Sequence, residues 1–120
     1  MKSGNFWISL KNALAGIGYC FKNERNFKIH LCMAVLALGM AFFAGVNQTE
    51  LLFIILAIFF VIVSEIFNTA VESWCNMVSM EYNKYTKIAK DCAAAAVLVS
   101  AINAAVIGAI IFLPKLISKI

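Results

Sequence analysis

Proline is almost absent from this chain: one residue in 120, Pro114, with only six glycines beside it. A sequence so poor in both breakers makes few turns, and nothing in it reads as a Pro- or Ser-rich linker, a low-complexity tract or an internal repeat. Charge is scarce too. Asp, Glu, Lys and Arg are 13% of residues against 63% hydrophobic, which excludes an ordinary soluble domain, where about a quarter of residues are charged. There is no G-x-x-x-x-G-K-[ST] loop and no G-x-G-x-x-G, since Gly16-x-Gly18 has no third glycine. Any nucleotide is therefore held without those phosphate cradles. The one histidine, His30, suggests no metal site and reads as a helix-end interface residue. A compact apolar core is missing near the start, so no cleavable signal is expected.

Long apolar runs fill the space that charge leaves. The chain reads as a single all-α integral membrane domain, 1–120, with spans at about 27–46, 50–70 and 92–113, each long enough to cross ~30 Å of hydrocarbon. Lys28 and His30 fall in the opening turn of the first span, from which they reach the interface. Lysine and arginine set the orientation. Five precede or open the first span (Lys2, Lys11, Lys22, Arg25, Lys28), three follow the second (Lys84, Lys87, Lys90), and two close the chain (Lys115, Lys119). The positive-inside rule then puts the N-terminus and the link between the second and third spans in the cytoplasm, and the C-terminus outside. The net charge of +4 is read as topology and attraction to anionic lipid, not nucleic-acid binding. Phe6, Leu10, Ala13, Leu14, Ile17 and Phe21 recur at helical spacing. They predict an amphipathic helix over about 5–22, on the inner membrane surface or packed on the bundle. The cysteines (Cys20, Cys32, Cys75, Cys92) form no C-x-x-C pair and read as small apolar fillers. Thr49 is the expected N-cap of the second span, after the turn that starts at Gly45.

Against that background the residues after 63 stand out. The apolar run 51–63 continues without a Gly or Pro into Ser64-Glu65-Ile66-Phe67-Asn68-Thr69-Ala70-Val71-Glu72-Ser73-Trp74-Cys75-Asn76. At 100° per residue Glu65, Asn68, Glu72 and Asn76 share about 80° of arc, a polar stripe on one helix. An ionisable group at membrane depth costs at least ~2.5 kcal/mol at the bilayer centre and usually marks function. Counting from Glu50, Glu65 falls just inside the hydrocarbon, Glu72 at the inner interface and Asn76 beyond it. Glu65 and Glu72 are ~10.5 Å apart along the axis, too far to share one metal ion, so two jobs are expected. A carboxylate withdrawn from water makes a general base for a lipid hydroxyl. One nearer water holds a divalent cation; Mg²⁺ prefers oxygen ligands and keeps substrate phosphates in its shell. Glu24, before the first span, offers a second carboxylate, and Lys90 beside Asp91 offers charge to phosphate. Together these parts suggest phosphoryl transfer from a nucleotide to a lipid hydroxyl. Duller readings stand beside it. Glu65 also suits a proton or cation site in a small transporter, Asn68 and Asn103 suit hydrogen bonds between helices, and Trp7 and Trp74 suit interfacial anchors.

Asn23-Glu24-Arg25-Asn26-Phe27-Lys28-Ile29-His30, then Glu65-Ile66-Phe67-Asn68-Thr69-Ala70-Val71-Glu72, then Glu81-Tyr82 and Ala89-Lys90-Asp91 resemble the bacterial membrane diacylglycerol kinase family. The first of these looks most like the Gram-positive branch, whose members phosphorylate undecaprenol. The resemblance runs from about residue 16 to 114. It implies a homotrimer in the bacterial inner membrane, with three transmembrane helices and one surface helix per subunit and active sites shared between subunits. It implies Glu65 as catalytic base and Glu24 and Glu72 as ligands of the Mg²⁺ carrying ATP. Glu81, Tyr82, Lys90 and Asp91 would bind nucleotide with those two acids, and Asn68 would support the site. One position departs: the family usually has an aspartate where this chain has Asn76, which keeps a hydrogen-bonding group and loses a charge. The expected activity is an ATP-dependent lipid kinase making undecaprenyl phosphate. Diacylglycerol as acceptor, a proton-coupled transporter and an inactive membrane scaffold are the alternatives.

Overall fold

The computed structural model describes residues 5–78, 81 and 83–120, and all regular structure among them is helical. The described residues form four helices: α1 (Phe6–Asn23), α2 (Arg25–Ala44), α3 (Gln48–Val78) and α4 (Lys84–Ser118). The last three are long and apolar enough to cross a membrane.

Their ends follow from local chemistry. Asn5 caps α1, its side chain accepting from the Ile8 N–H at 3.0 Å. A single residue, Glu24, separates α1 from α2; its extended backbone (φ −110°, ψ 112°) breaks the helix, and its side chain caps neither end. α2 stops at Gly45, where φ is +67° and ψ +46°, the left-handed conformation that glycine adopts without steric penalty. The Val46 N–H then closes back on the Ala41 carbonyl. The cap of α3 is Asn47, not Thr49. Asn47 Oδ1 accepts from the Glu50 N–H at 2.8 Å, and Glu50 Oε1 accepts from the Asn47 N–H at 3.0 Å. This reciprocal pair satisfies two helix-end donors, which a threonine two residues later does not do. Asn83 caps α4 by accepting from the Tyr85 and Thr86 N–H groups. α4 therefore begins well before residue 92, and Lys84, Lys87 and Lys90 lie on its first two turns rather than in a connecting loop.

α3 is the central element and packs most extensively on α4, then on α2. Its buried residues Ile54, Ala57, Val61, Glu65 and Thr69 recur at three- and four-residue steps, one face of a helix. Small residues of α4, Ala101, Ala104 and Gly108, are half-buried along the facing surface and let the backbones approach closely. Midway, the Ser64 hydroxyl donates to the Phe60 carbonyl, which leaves Ser100 to donate to Ser64 Oγ across 2.7 Å.

The two ends of the molecule differ. Near the α2–α3 turn Ala41, Ile54 and Ile111 form an apolar core flanked by Val46, Leu51, Ile107 and Phe112, closed off by the half-buried Lys115–Glu50 ion pair at 3.2 Å. An apolar groove of about 730 Å³ runs along α2 and α4 at that end, past Leu36, Met40, Phe43 and Phe112. Titratable and amide side chains gather at the opposite end. Apolar residues cover much of the outside, Phe43 (84% exposed) and Ile110 (69%) among them, and the apolar side chains Phe6, Leu14 and Phe21 of α1 are exposed.

Candidate functional site

The polar stripe of α3 is graded in burial. Glu65 is 2% exposed, Asn68 and Glu72 are half-buried and Asn76 is exposed. Glu65 occupies the same inward row as Val61 and Thr69, so its burial follows from helix packing that would suit an apolar residue. Its Oε1 has no hydrogen-bond partner among the described residues. A buried acceptor left unpaired costs about 1–3 kcal/mol, more when charged, and such a group is retained for a use.

The nearest basic group is His30, whose Nε2 lies 3.4 Å from Glu65 Oε1, with the imidazole 20% exposed. This corrects the reading of His30 as a helix-end interface residue. Phe27, His30, Leu31, Ala34, Ala37, Ala41 and Ala44 are the buried or half-buried positions of α2, one stripe at helical steps of three and four, so His30 lies on the inward stripe and faces α3. That periodicity was present in the sequence; the partner across the helix interface was not.

Glu24 and Glu72 both come within electrostatic reach of Glu65. Three carboxylates therefore share a neighbourhood, one from the α1–α2 break and two from α3. Glu72 is oriented by Asn68, whose Nδ2 donates to Glu72 Oε1 at 2.7 Å. Asn68 thus serves its own helix rather than a neighbouring one. Glu24 is half-buried, and its carboxylate is not spent on capping. Among the described residues no three His, Cys, Asp or Glu side chains close to a chelating cluster. Two hard carboxylates near Glu65 still suit Mg²⁺, whose usual protein share is one or two carboxylates, the rest being water and phosphate oxygen.

The beginning of α4 adds a cation. Lys90 Nζ donates to Asn76 Oδ1 at 2.9 Å, so the residue at the position of departure holds a lysine through a neutral oxygen. Asp91 points elsewhere: Lys87 pairs with it at 2.6 Å, both exposed. Cys75 is buried and its thiol donates to the Thr86 carbonyl at 3.8 Å, one of the contacts that fix the start of α4 against α3. Glu81 is exposed, and Tyr82 lies outside the described residues. Asn103, expected between helices, is exposed on α4.

Compared with known proteins, residues 11–112 match the sequence profile of prokaryotic diacylglycerol kinase. The chain is 37% identical over 115 residues to a diacylglycerol kinase of Synechocystis sp., covering 95% of this chain and 66% of that protein. It is 36% identical over 111 residues to an undecaprenol kinase of Bacillus subtilis, covering 92% of this chain and 90% of the relative. A diacylglycerol kinase of Haemophilus influenzae is 29% identical over 92 residues, 77% of this chain and 78% of that one.

Proposed function

The chain belongs to the prokaryotic diacylglycerol kinase family, a family of lipid kinases, and on that premise we propose that it transfers the γ-phosphate of ATP to the hydroxyl of a membrane lipid alcohol. The observation that carries this reading is Glu65, a carboxylate 2% exposed with an unpaired oxygen, on the same helix face as the half-buried Glu72. Glu65 takes the proton of the lipid hydroxyl as its oxygen attacks the γ-phosphorus. The transition state of such a transfer needs positioning and charge stabilisation more than covalent help from the protein. Glu24 and Glu72 are the residues to hold Mg²⁺, and Asn68 fixes the Glu72 carboxylate for that task. When bound, the cation neutralises charge on the phosphates. Lys90 presents its ammonium to the nucleotide phosphates, and Glu81, Tyr82 and Asp91 are the further nucleotide-binding residues of this reading.

Undecaprenol is the preferred acceptor in this reading. Support comes from the Gram-positive character of the residue 23–30 stretch and from the undecaprenol kinase of Bacillus subtilis, matched over 90% of its length. Diacylglycerol is the second reading, since the Synechocystis relative carries that name at similar identity. A transporter is disfavoured by the gathering of polar side chains at one end, with an apolar core at the other. The enzyme is a homotrimer in the inner membrane. Its N-terminus and active sites lie at the cytoplasmic face, α1 rests on that surface, and neighbouring subunits share sites.

The test is direct. Purified protein given MgATP and either undecaprenol or diacylglycerol should form lipid phosphate, faster with undecaprenol in competition. Equal rates, or a preference for diacylglycerol, would overturn the substrate assignment; no product from any lipid alcohol in well-folded protein would overturn the activity.

A further inference from the structure

We propose that His30 is a positioning residue for Glu65 and the group to which Glu65 passes its proton. The inference rests on Glu65 acting as base and goes beyond it by assigning the proton's exit.

Three observations lead there. His30 Nε2 is 3.4 Å from Glu65 Oε1, and that oxygen is the buried side-chain atom left without a hydrogen bond among the described residues. The imidazole is 20% exposed where the carboxylate is 2% exposed, so the ring leads from the buried acid to the surface of the bundle. The other charged groups acting on Glu65 are Glu24, from the α1–α2 break, and Glu72, on α3. Both are acids, and α4 supplies none. Both acids are assigned to Mg²⁺ in this reading, whereas His30 places a basic nitrogen 3.4 Å from the Glu65 oxygen.

The step balances. The lipid hydroxyl's proton moves to a Glu65 oxygen as the new O–P bond forms. The bond from the γ-phosphorus to its bridging oxygen breaks, and ADP takes that electron pair. Glu65, now neutral, gives the proton to the Nε2 lone pair of His30, which needs the tautomer with hydrogen on Nδ1. The carboxylate is regenerated beside an imidazolium, whose charge holds it in place. The imidazolium then loses one proton to water at the exposed edge, and the base is ready again. The relay gives a carboxylic acid sealed at 2% exposure a proton acceptor 3.4 Å away.

The experiment compares wild type, His30→Gln and His30→Ala in detergent, each checked for wild-type melting temperature and oligomer size. Lipid phosphate formation is followed across about pH 5 to 8, the range in which an ordinary imidazole changes charge. His30→Gln keeps a polar side chain of similar reach but cannot carry the proton. Its kcat should fall at least ~10-fold, with KM for MgATP within about twofold, and its rate profile should lose an ionisation seen in wild type. His30→Ala opens space at the ring position, and added imidazole should restore part of its rate. A His30→Gln enzyme with wild-type kcat and pH profile overturns the proposal. So does a folded His30→Ala enzyme that imidazole does not accelerate. If His30→Ala does not fold, the His30→Gln profile decides alone. A wild type inactive on every lipid alcohol fails at the earlier reading, which the same assay distinguishes.

Discussion

Glu65→Gln separates basicity from shape, because the amide fills the same volume among Val61, Thr69 and His30. Removing a positioned general base should lower turnover by roughly 10²-fold or more, while MgATP binding, measured by nucleotide protection against thermal unfolding, stays intact. A near wild-type rate would remove Glu65 from its role. Glu72→Ala should behave differently. It deletes a proposed metal ligand and leaves Asn68 Nδ2 without its acceptor, so nucleotide protection should weaken along with turnover. Asn76 gives a finer test. Its Oδ1 accepts from Lys90 at 2.9 Å, and Asn76→Asp would turn that contact into an exposed ion pair, worth about 0–1 kcal/mol. Lys90 would keep its place while part of its charge was cancelled, so kcat/KM should change by at most about tenfold, which is ~1.4 kcal/mol in the barrier. The optimum Mg²⁺ concentration should shift. A larger change would mean that Asn76 itself touches the nucleotide. At this scale the stripe was legible because helical periodicity alone aligns Glu65, Asn68, Glu72 and Asn76. The His30–Glu65 and Lys90–Asn76 pairs were not, since each joins residues on different helices.

At the scale of elements, the α2–α3 connection shows how little chain a tight reversal needs. Gly45 provides the left-handed residue, and Asn47 and Glu50 close the capping pair. Gly45→Val puts a branched side chain at φ +67°, a conformation costing L-residues about 1–2 kcal/mol. Nothing lies within 4 Å of a Cβ built there, so the penalty is backbone strain rather than a clash. The variant should melt at lower temperature in detergent while retaining kinase activity below its transition, because the turn lies at the end of the bundle away from Glu65. An unchanged melting temperature would show that the turn relaxes freely. The glycine and the turn were readable from the sequence. The capping residue lies two positions before the expected Thr49, because Thr49 and Asn47 are both good caps and the reciprocal bond with Glu50 decides between them.

For the whole molecule, the distribution of charge predicts orientation. Glu24, His30, Glu65 and Glu72 collect at one end, and the Lys115–Glu50 pair sits at the other. With three spans, a reporter enzyme that works only outside the cell should be active when fused after Ile120. It should be inactive when fused in the segment joining α3 to α4. The reverse pattern would turn the proposed active site to the wrong face. The outward surface predicts company as well. Residues as apolar as Phe43, Phe60 and Ile110 are more than 60% exposed, and in water such a surface would aggregate. Lipid covers such a surface in a membrane, and the proposed trimer would cover part of it. Cross-linking in membranes should trap species no larger than trimers; a chain that remains monomeric at all detergent-to-protein ratios while active would defeat the trimer.

Composition and periodicity by themselves determined the class of this protein: all-helical, three apolar helices, and one acidic stripe where apolar residues are expected. Those features depend on residue type and spacing within single helices, which sequence states outright. The specific blocks around Glu24, Glu65 and Lys90 pointed to the family for the same reason, as local strings at kept distances. What touches what was decided by tertiary structure. The break at Glu24 brings a carboxylate towards α3, the inward row of α2 sets His30 against Glu65, and the early start of α4 carries Lys90 to Asn76. Each depends on how two helices cross and at what register. Side-chain distances of 3 Å to 4 Å are set by that packing and not by the order of residues along the chain.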